Sequence, residues 1–317
     1  MNENIEALLS LLPQLESSLG TENPELAEYL TSIGLLLYHE SRFVEAESFM
    51  KRALDIRKKA LAVDHPDVGS AMNNLAMVYM AQTRLEEAEP LFRQALTIQE
   101  KALGFEHPSL ATAMNNLAEL YRIIGSFERA EMLYKRAFEI RQRFVGDDHL
   151  EVAEIQYNLG VLYAEHNRKE DAEHVFRQVL RTQESYYGRE HPEVATTLCR
   201  LADLFSTDKD YEKAEPLLRR VLGIREKLLS PDHPKVAESL AALAILYDVH
   251  GTYVRAESLY LRAIEIFKGA LGPEHPNVIA CLENYADLLR KTDRETEANS
   301  IDARIEALLD REDFPIE

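Results

Sequence analysis

The sequence predicts an all-α repeat array, seven helical hairpins behind one N-terminal helix, and three observations carry that prediction. A dipeptide marker returns every 42 residues, apolar side chains within each interval fall at helical spacing, and cap and turn residues stand where the resulting frame needs them.

The marker is His-Pro, at 65–66, 107–108, 191–192, 233–234 and 275–276, and Asn23-Pro24 and His149-Leu150 fill the two remaining places. The step is constant, so seven repeats can be written without a gap: 21–62, 63–104, 105–146, 147–188, 189–230, 231–272 and 273–314. Residues 1–20 precede them and a short tail, 315–317, follows.

In the second repeat Val68, Met72, Leu75 and Tyr79 fall at i, i+4, i+7 and i+11, which puts four apolar side chains on one face of a first helix. Ala88, Leu91, Phe92, Ala95 and Ile98 repeat the pattern in a second helix, and the polar Gln82-Thr83-Arg84 connects the two. Gly104, Gly146, Gly188 and Gly272 end second helices, where a left-handed residue suits the C-terminal cap. Proline opens the next helix, and an acidic residue before the histidine column favours the positive end of that helix.

Small residues recur where two helices must approach closely. Gly34, Ala76, Ala118, Gly160, Ala202, Ala244 and Ala286 form one such column, and Ala46, Ala88, Ala130, Ala172, Ala214, Ala256 and Ala298 form another. Leu150 departs from proline, and Gln156 stands in a column held by Met72, Met114 and Leu198, which predicts a half-exposed or hydrogen-bonded side chain there.

Residues 5–19 carry Ile5, Leu8, Leu9, Leu11, Leu12, Leu15 and Leu19, with Leu19-Gly20 in register with Leu103-Gly104. The segment reads as a lone second helix capping the array, and its wide apolar surface leaves self-association through terminal helices open.

Composition narrows the function. Asp and Glu number 55 against 36 Lys and Arg, a formal charge of −19 that repels nucleic-acid phosphates and anionic lipid surfaces. Two cysteines, Cys199 and Cys281, are too few for a disulfide framework. No apolar run approaches a membrane span, the acidic start does not read as a secretion signal, and the expected location is the cytoplasm.

Catalytic and cofactor motifs are absent from the sequence: it has no Gly-rich phosphate loop, no His-Glu-x-x-His and no Gly-x-Ser-x-Gly. The repeated histidines suggest a metal ladder only superficially. Helices about 8–10 Å apart hold equivalent side chains too far apart to share zinc, whose ligands lie about 2 Å away. A hydrogen-bonding turn residue is the reading adopted, with no metal, no cofactor and no enzyme.

Asn73-Asn74-Leu75-Ala76, the run Leu85-Glu86-Glu87-Ala88-Glu89-Pro90-Leu91-Phe92, and Leu103-Gly104-Phe105-Glu106-His107-Pro108 together resemble the tetratricopeptide repeat. More narrowly they resemble its 42-residue form, found in kinesin light chains and many bacterial proteins. The resemblance covers nearly the whole chain and implies a right-handed superhelical solenoid with first helices on the concave side.

It also implies a binding stripe beside the buried face, which in the second repeat is Ser70, Asn74, Met77 and Ala81. An asparagine matching Asn74 touches bound peptide in kinesin light chains and in carboxylate-clamp relatives, and that implied role extends to Asn116 and Asn158, followed by Arg200 one repeat on. Three mid-helix asparagines, each about 0.6 kcal/mol worse than alanine, need a reason. Peptide binding is one reading, and the alternatives are inherited surface residues or hydrogen bonders of the hairpins.

Glu119, Arg122 and Asp203 lie along the same stripe, where acidic groups outnumber basic ones and the clamp lysines are missing. The expected function is therefore a non-catalytic scaffold holding an extended, basic or mixed-charge segment of a partner protein. A regulatory subunit or peptide-sensing module controlling a partner enzyme is the alternative.

Overall fold

A computed structural model of the chain describes residues 2–207 and 210–309. The 315–317 tail and residues 310–314 of the seventh repeat lie outside the described residues. Among the described residues there are fifteen α-helices and no strand. Helix α1 (Asn2–Leu19) is followed by first and second helices in alternation: α2 (Pro24–His39), α3 (Phe43–Ala60), α4 (Pro66–Ala81), α5 (Leu85–Leu103), α6 (Pro108–Ile123), α7 (Phe127–Val145) and α8 (Leu150–Glu165). Then come α9 (Lys169–Tyr187), α10 (Pro192–Thr207), α11 (Tyr211–Leu228), α12 (Pro234–Val249), α13 (Tyr253–Leu271), α14 (Pro276–Lys291) and α15 (Glu295–Leu309).

The chain forms two compact units, Met1–Arg168 and Lys169–Glu317. In the first, α2 pairs with α3, α4 with α5 and α6 with α7, and α8 packs on α7. In the second, α9 packs on α10, and α10 pairs with α11, α12 with α13 and α14 with α15.

Each first helix starts on a side-chain cap. The N–H of Asp67 donates to His65 Nδ1 at 3.2 Å, and the same bond recurs at His107, His149, His191, His233 and His275. Asn23 does it with its amide oxygen, 2.9 Å from the Glu25 nitrogen. The repeated histidine is thus a helix cap, satisfying one of the orphan donors of the first turn. The cap alone suffices for α8, which begins at Leu150 with His149 in extended conformation.

Six of the hairpin turns, those among the described residues, hold a left-handed residue, which Gly125 and Gly251 supply without strain. Thr83 does so at φ 60° and Ser41, Asn167 and Asp293 at 57–59°. Both small-residue columns are buried. Ala46, Ala88, Ala130, Ala172, Ala214, Ala256 and Ala298 have no exposed surface, and a Cβ on Gly34 would stand 2.8 Å from Met50 Cε. Gln156 is half-buried. Helix α1 buries Ile5, rests Leu12 and Leu15 on the core of α2 and α3, accepts a bond from Tyr29 Oη at the Leu8 carbonyl, and leaves Leu11 exposed.

A glutamate near the start of the second helix ties α3, α7 and α13 to the following hairpin. Glu47 accepts from Arg84 at 2.8 Å and Gln82 at 3.0 Å. Glu131 accepts from Tyr163 and Arg168, and Glu257 from Tyr285 and Arg294. Glu173 departs from the pattern: Phe205 and Asp210 stand in place of that tyrosine and arginine.

Candidate functional site

The first helices stack directly on one another, α2 on α4, α4 on α6 and α6 on α8 in one unit and α12 on α14 in the other. Second helices are bridged by long side chains such as Arg136 to Glu100, 3.0 Å apart. Closer stacking on the first-helix side makes it the inner face within each unit. Every candidate residue lies on a first helix: Asn74, Met77, Asn116, Glu119, Arg122 and Asn158 in the first unit, Arg200 and Asp203 in the second.

The asparagines are not equivalent. Asn116 donates its amide to Asn73 Oδ1 at 3.2 Å, and Asn158 donates to Asn115 Oδ1 at 3.0 Å. These bonds join consecutive first helices, so the inter-helix role left open by the sequence belongs to Asn116 and Asn158. Their acceptors, Asn73 and Asn115, carry no signal in the 42-residue column because the bond spans 43 residues. Asn73 also donates to the Met77 sulfur at 3.8 Å. Asn74, half-buried, has no side-chain hydrogen bond among the described residues. Thr31, 43 positions before it, instead turns its hydroxyl onto the Ala27 carbonyl at 2.7 Å.

Glu119 and Arg122 form the polar centre of the first unit. Arg122 grips Glu119 through two nitrogens, at 2.9 and 2.7 Å, and reaches Glu165 on α8. Tyr134, fully buried on α7, donates to Glu119 Oε2 at 2.8 Å. Burial pushes the Glu119 carboxyl up, but the bonds from Arg122 and Tyr134 outweigh it and hold it below the ordinary glutamate range. Bonds to Glu119 and Glu165 raise Arg122 further, so it stays charged but committed to two carboxylates. An acidic ligand finds no idle cation here.

In the second unit Arg200 and Asp203 face each other at 3.9 Å with half or more of each side chain open. Partial desolvation pushes the Asp203 carboxyl up despite Arg200, although most of the side chain is open. Ala242 and Ile245 occupy the next positions of the asparagine and Asp203 columns, an apolar break not singled out in the sequence. Burial likewise raises the Cys199 thiol, which disfavours the thiolate a nucleophile needs.

The tetratricopeptide repeat family models match residues 26–67, 67–143, 109–185, 176–227, 208–268 and 250–310. The chain belongs to the tetratricopeptide repeat family. Among solved structures, this tetratricopeptide repeat protein is 27% identical to BtubC (BKLC) from P. vanneervenii, covering 71% of this chain and 90% of that one with a TM-score of 0.60. It is 26% identical to the nearly identical TPR-like repeats assigned to a Podosopora anserina kinesin light chain, covering 65% and 98% with a TM-score of 0.59. It is thus of the kinesin-light-chain-like type. The repeat sensor of a signal-transduction ATPase from Pyrococcus horikoshii shares the fold, at 17% identity and a TM-score of 0.74 over 96% of this chain, which spans 45% of that protein. No curated protein matches the tetratricopeptide repeat chain. No described helix is long and apolar enough to cross a membrane.

Proposed function

We propose that this protein is a non-catalytic scaffold that holds an extended segment of a partner protein along its first-helix face. Tetratricopeptide repeats are protein-interaction scaffolds, and the observation that carries the finer reading is Asn74. It is a mid-helix amide with a helix-propensity cost, half-exposed on the inner face and bonded to nothing among the described residues. An amide offers a donor and an acceptor, the pair that an extended backbone presents in return.

The occupant is basic or mixed in charge. Glu119 and Glu165 share the cation Arg122, so that cluster keeps a net negative charge, whereas Asp203 and Asp287 are each balanced by an arginine, Arg200 and Arg290. Such a field steers cationic segments and repels acidic ones. The rival role, control of a partner enzyme, differs in what the captured partner is rather than in how it is held.

The test is position-specific photo-crosslinking in the cells that make the protein. A benzophenone side chain at Met77 or Asp203 should capture a partner protein, whereas one at Met132 or Val254 on second helices should not. Capture from the second-helix positions alone would overturn the groove reading.

A further inference from the structure

The second unit contains an apolar recess where α12 meets the end of α10 and the start of α11. It has a volume of about 160 Å³ and is lined by Ser206, Tyr211, Ala242, Ile245, Val249 and His250. Its origin can be traced to single columns. Where other first helices carry Asn74, Asn116 or Asn158, α12 has Ala242, and where α6 and α10 carry Glu119 and Asp203, it has Ile245. Tyr211 and His250 stack at 3.7 Å and wall one end. Ile245 and Val249 remain 43% and 60% exposed, apolar surface that the fold itself does not use.

Carboxylates flank the recess at the same register. Asp203 on α10 and Asp287 on α14 stand one repeat before and one repeat after Ile245, with 66% and 65% of their side chains open. Each touches an arginine three residues along its own helix, Arg200 at 3.9 Å and Arg290 at 2.8 Å.

We propose that this recess seats one aliphatic or aromatic anchor side chain of an extended peptide that carries a lysine or arginine about three residues to either side. The proposal rests on the groove reading and specifies its occupant. The volume fits, since a protein cavity of about 150 Å³ accommodates a benzene ring. The spacing follows from geometry: consecutive first helices lie about 10 Å apart and an extended chain advances about 3.3 Å per residue, so one rung corresponds to about three residues. Open carboxylate surface supplies the rest: Asp203 and Asp287 each touch an arginine yet stay mostly exposed, so a peptide cation at those offsets can share them while Ile245 meets the anchor.

A displayed random nonapeptide library panned on the full chain tests this. The expected enrichment is an apolar anchor with a cation about three residues away on one or both sides. An enriched peptide, synthesised and measured by fluorescence anisotropy, should lose roughly tenfold to a hundredfold in affinity to Ile245→Arg. Val249→Lys, also at an open position, should act in the same direction, with circular dichroism confirming that both variants keep their helices. The double change Asp203→Asn with Asp287→Asn should weaken binding several-fold and flatten its salt dependence. Enriched peptides that lack an apolar anchor, or that bind both recess variants as well as the unmodified chain, overturn the recess while leaving the groove reading standing. Failure to enrich any peptide counts against the groove reading itself, and the recess proposal falls with it.

Discussion

Asn116 on α6 gives its side-chain amide to Asn73 on α4, 43 residues earlier and 3.2 Å away, and this bond separates asparagines that look identical in sequence. Asn73 is 6% exposed, so losing its donor leaves a buried carbonyl unsatisfied. Asn116→Ala should therefore lower stability by about 1 kcal/mol net of the helix-propensity gain. Asn74→Ala, which breaks no bond, should raise it by up to about 0.6 kcal/mol while weakening any bound peptide. Urea midpoints check the two signs, and equal signs would show that the amides share one role.

The hairpin turn predicts a second pair of opposite signs. Thr83 is a β-branched residue held at φ 60°, whereas Gly125 fills the same turn position at 75°, where an added Cβ would have nothing within 4 Å. Thr83→Gly relieves strain of about 1–2 kcal/mol and adds about 0.5–1 kcal/mol of unfolded-state entropy, for a net gain near 0.5 kcal/mol. Gly125→Ala should lose about 1 kcal/mol. Denaturant midpoints moving the other way would contradict this account of the turn.

Acid should loosen the ties between repeats. Burial pushes the Glu47 carboxyl up, but bonds from Lys51, Arg84 and Gln82 outweigh it and lower it to about 2. A folded value below the unfolded one stabilises the protein above the unfolded range near 4.3, and that contribution is lost as pH falls from about 5 towards 2. After solvent screening it amounts to about 1–2 kcal/mol. Glu47→Gln should lower stability at pH 7 yet flatten its fall between pH 5 and 2, measured by chemical denaturation at each pH. An unchanged acid slope would remove Glu47 from the account.

The histidine caps can be exchanged for the one asparagine cap already present. His233→Ala removes the acceptor for the Lys235 N–H, 3.1 Å away, and should cost about 1 kcal/mol. His233→Asn should restore most of it, as Asn23 caps α2 at 2.9 Å. Thermal melting of the two variants decides, and a His233→Asn protein as unstable as His233→Ala would mean the ring does more than cap.

Local features are legible in the sequence. The 42-residue marker places the helix starts, the alanine columns place the buried seams, and the histidine before proline reads as a turn hydrogen bonder. Relations between repeats stay hidden because they depend on the stagger of neighbouring hairpins. The Glu47, Glu89 and Glu131 column is visible in sequence, but its partners lie 32 and 37 residues on, as Tyr163 and Arg168 do from Glu131. The asparagine column is visible too, yet only the 43-residue stagger shows that Asn116 and Asn158 are engaged while Asn74 is open. Arg122 reads as a groove cation, and its capture by Glu119 and Glu165 is again a matter of stagger.

The central claim, an extended occupant spread across several rungs, is tested most directly by the length dependence of binding. The segment captured at Met77 or Asp203 can be synthesised, shortened from each end and titrated calorimetrically. The three consecutive first helices α4, α6 and α8 enclose two spacings of about 10 Å, which an extended chain crosses in about six residues. Affinity should fall stepwise as the peptide shortens through that length, whereas a three-residue fragment binding as tightly as the whole segment would contradict the account.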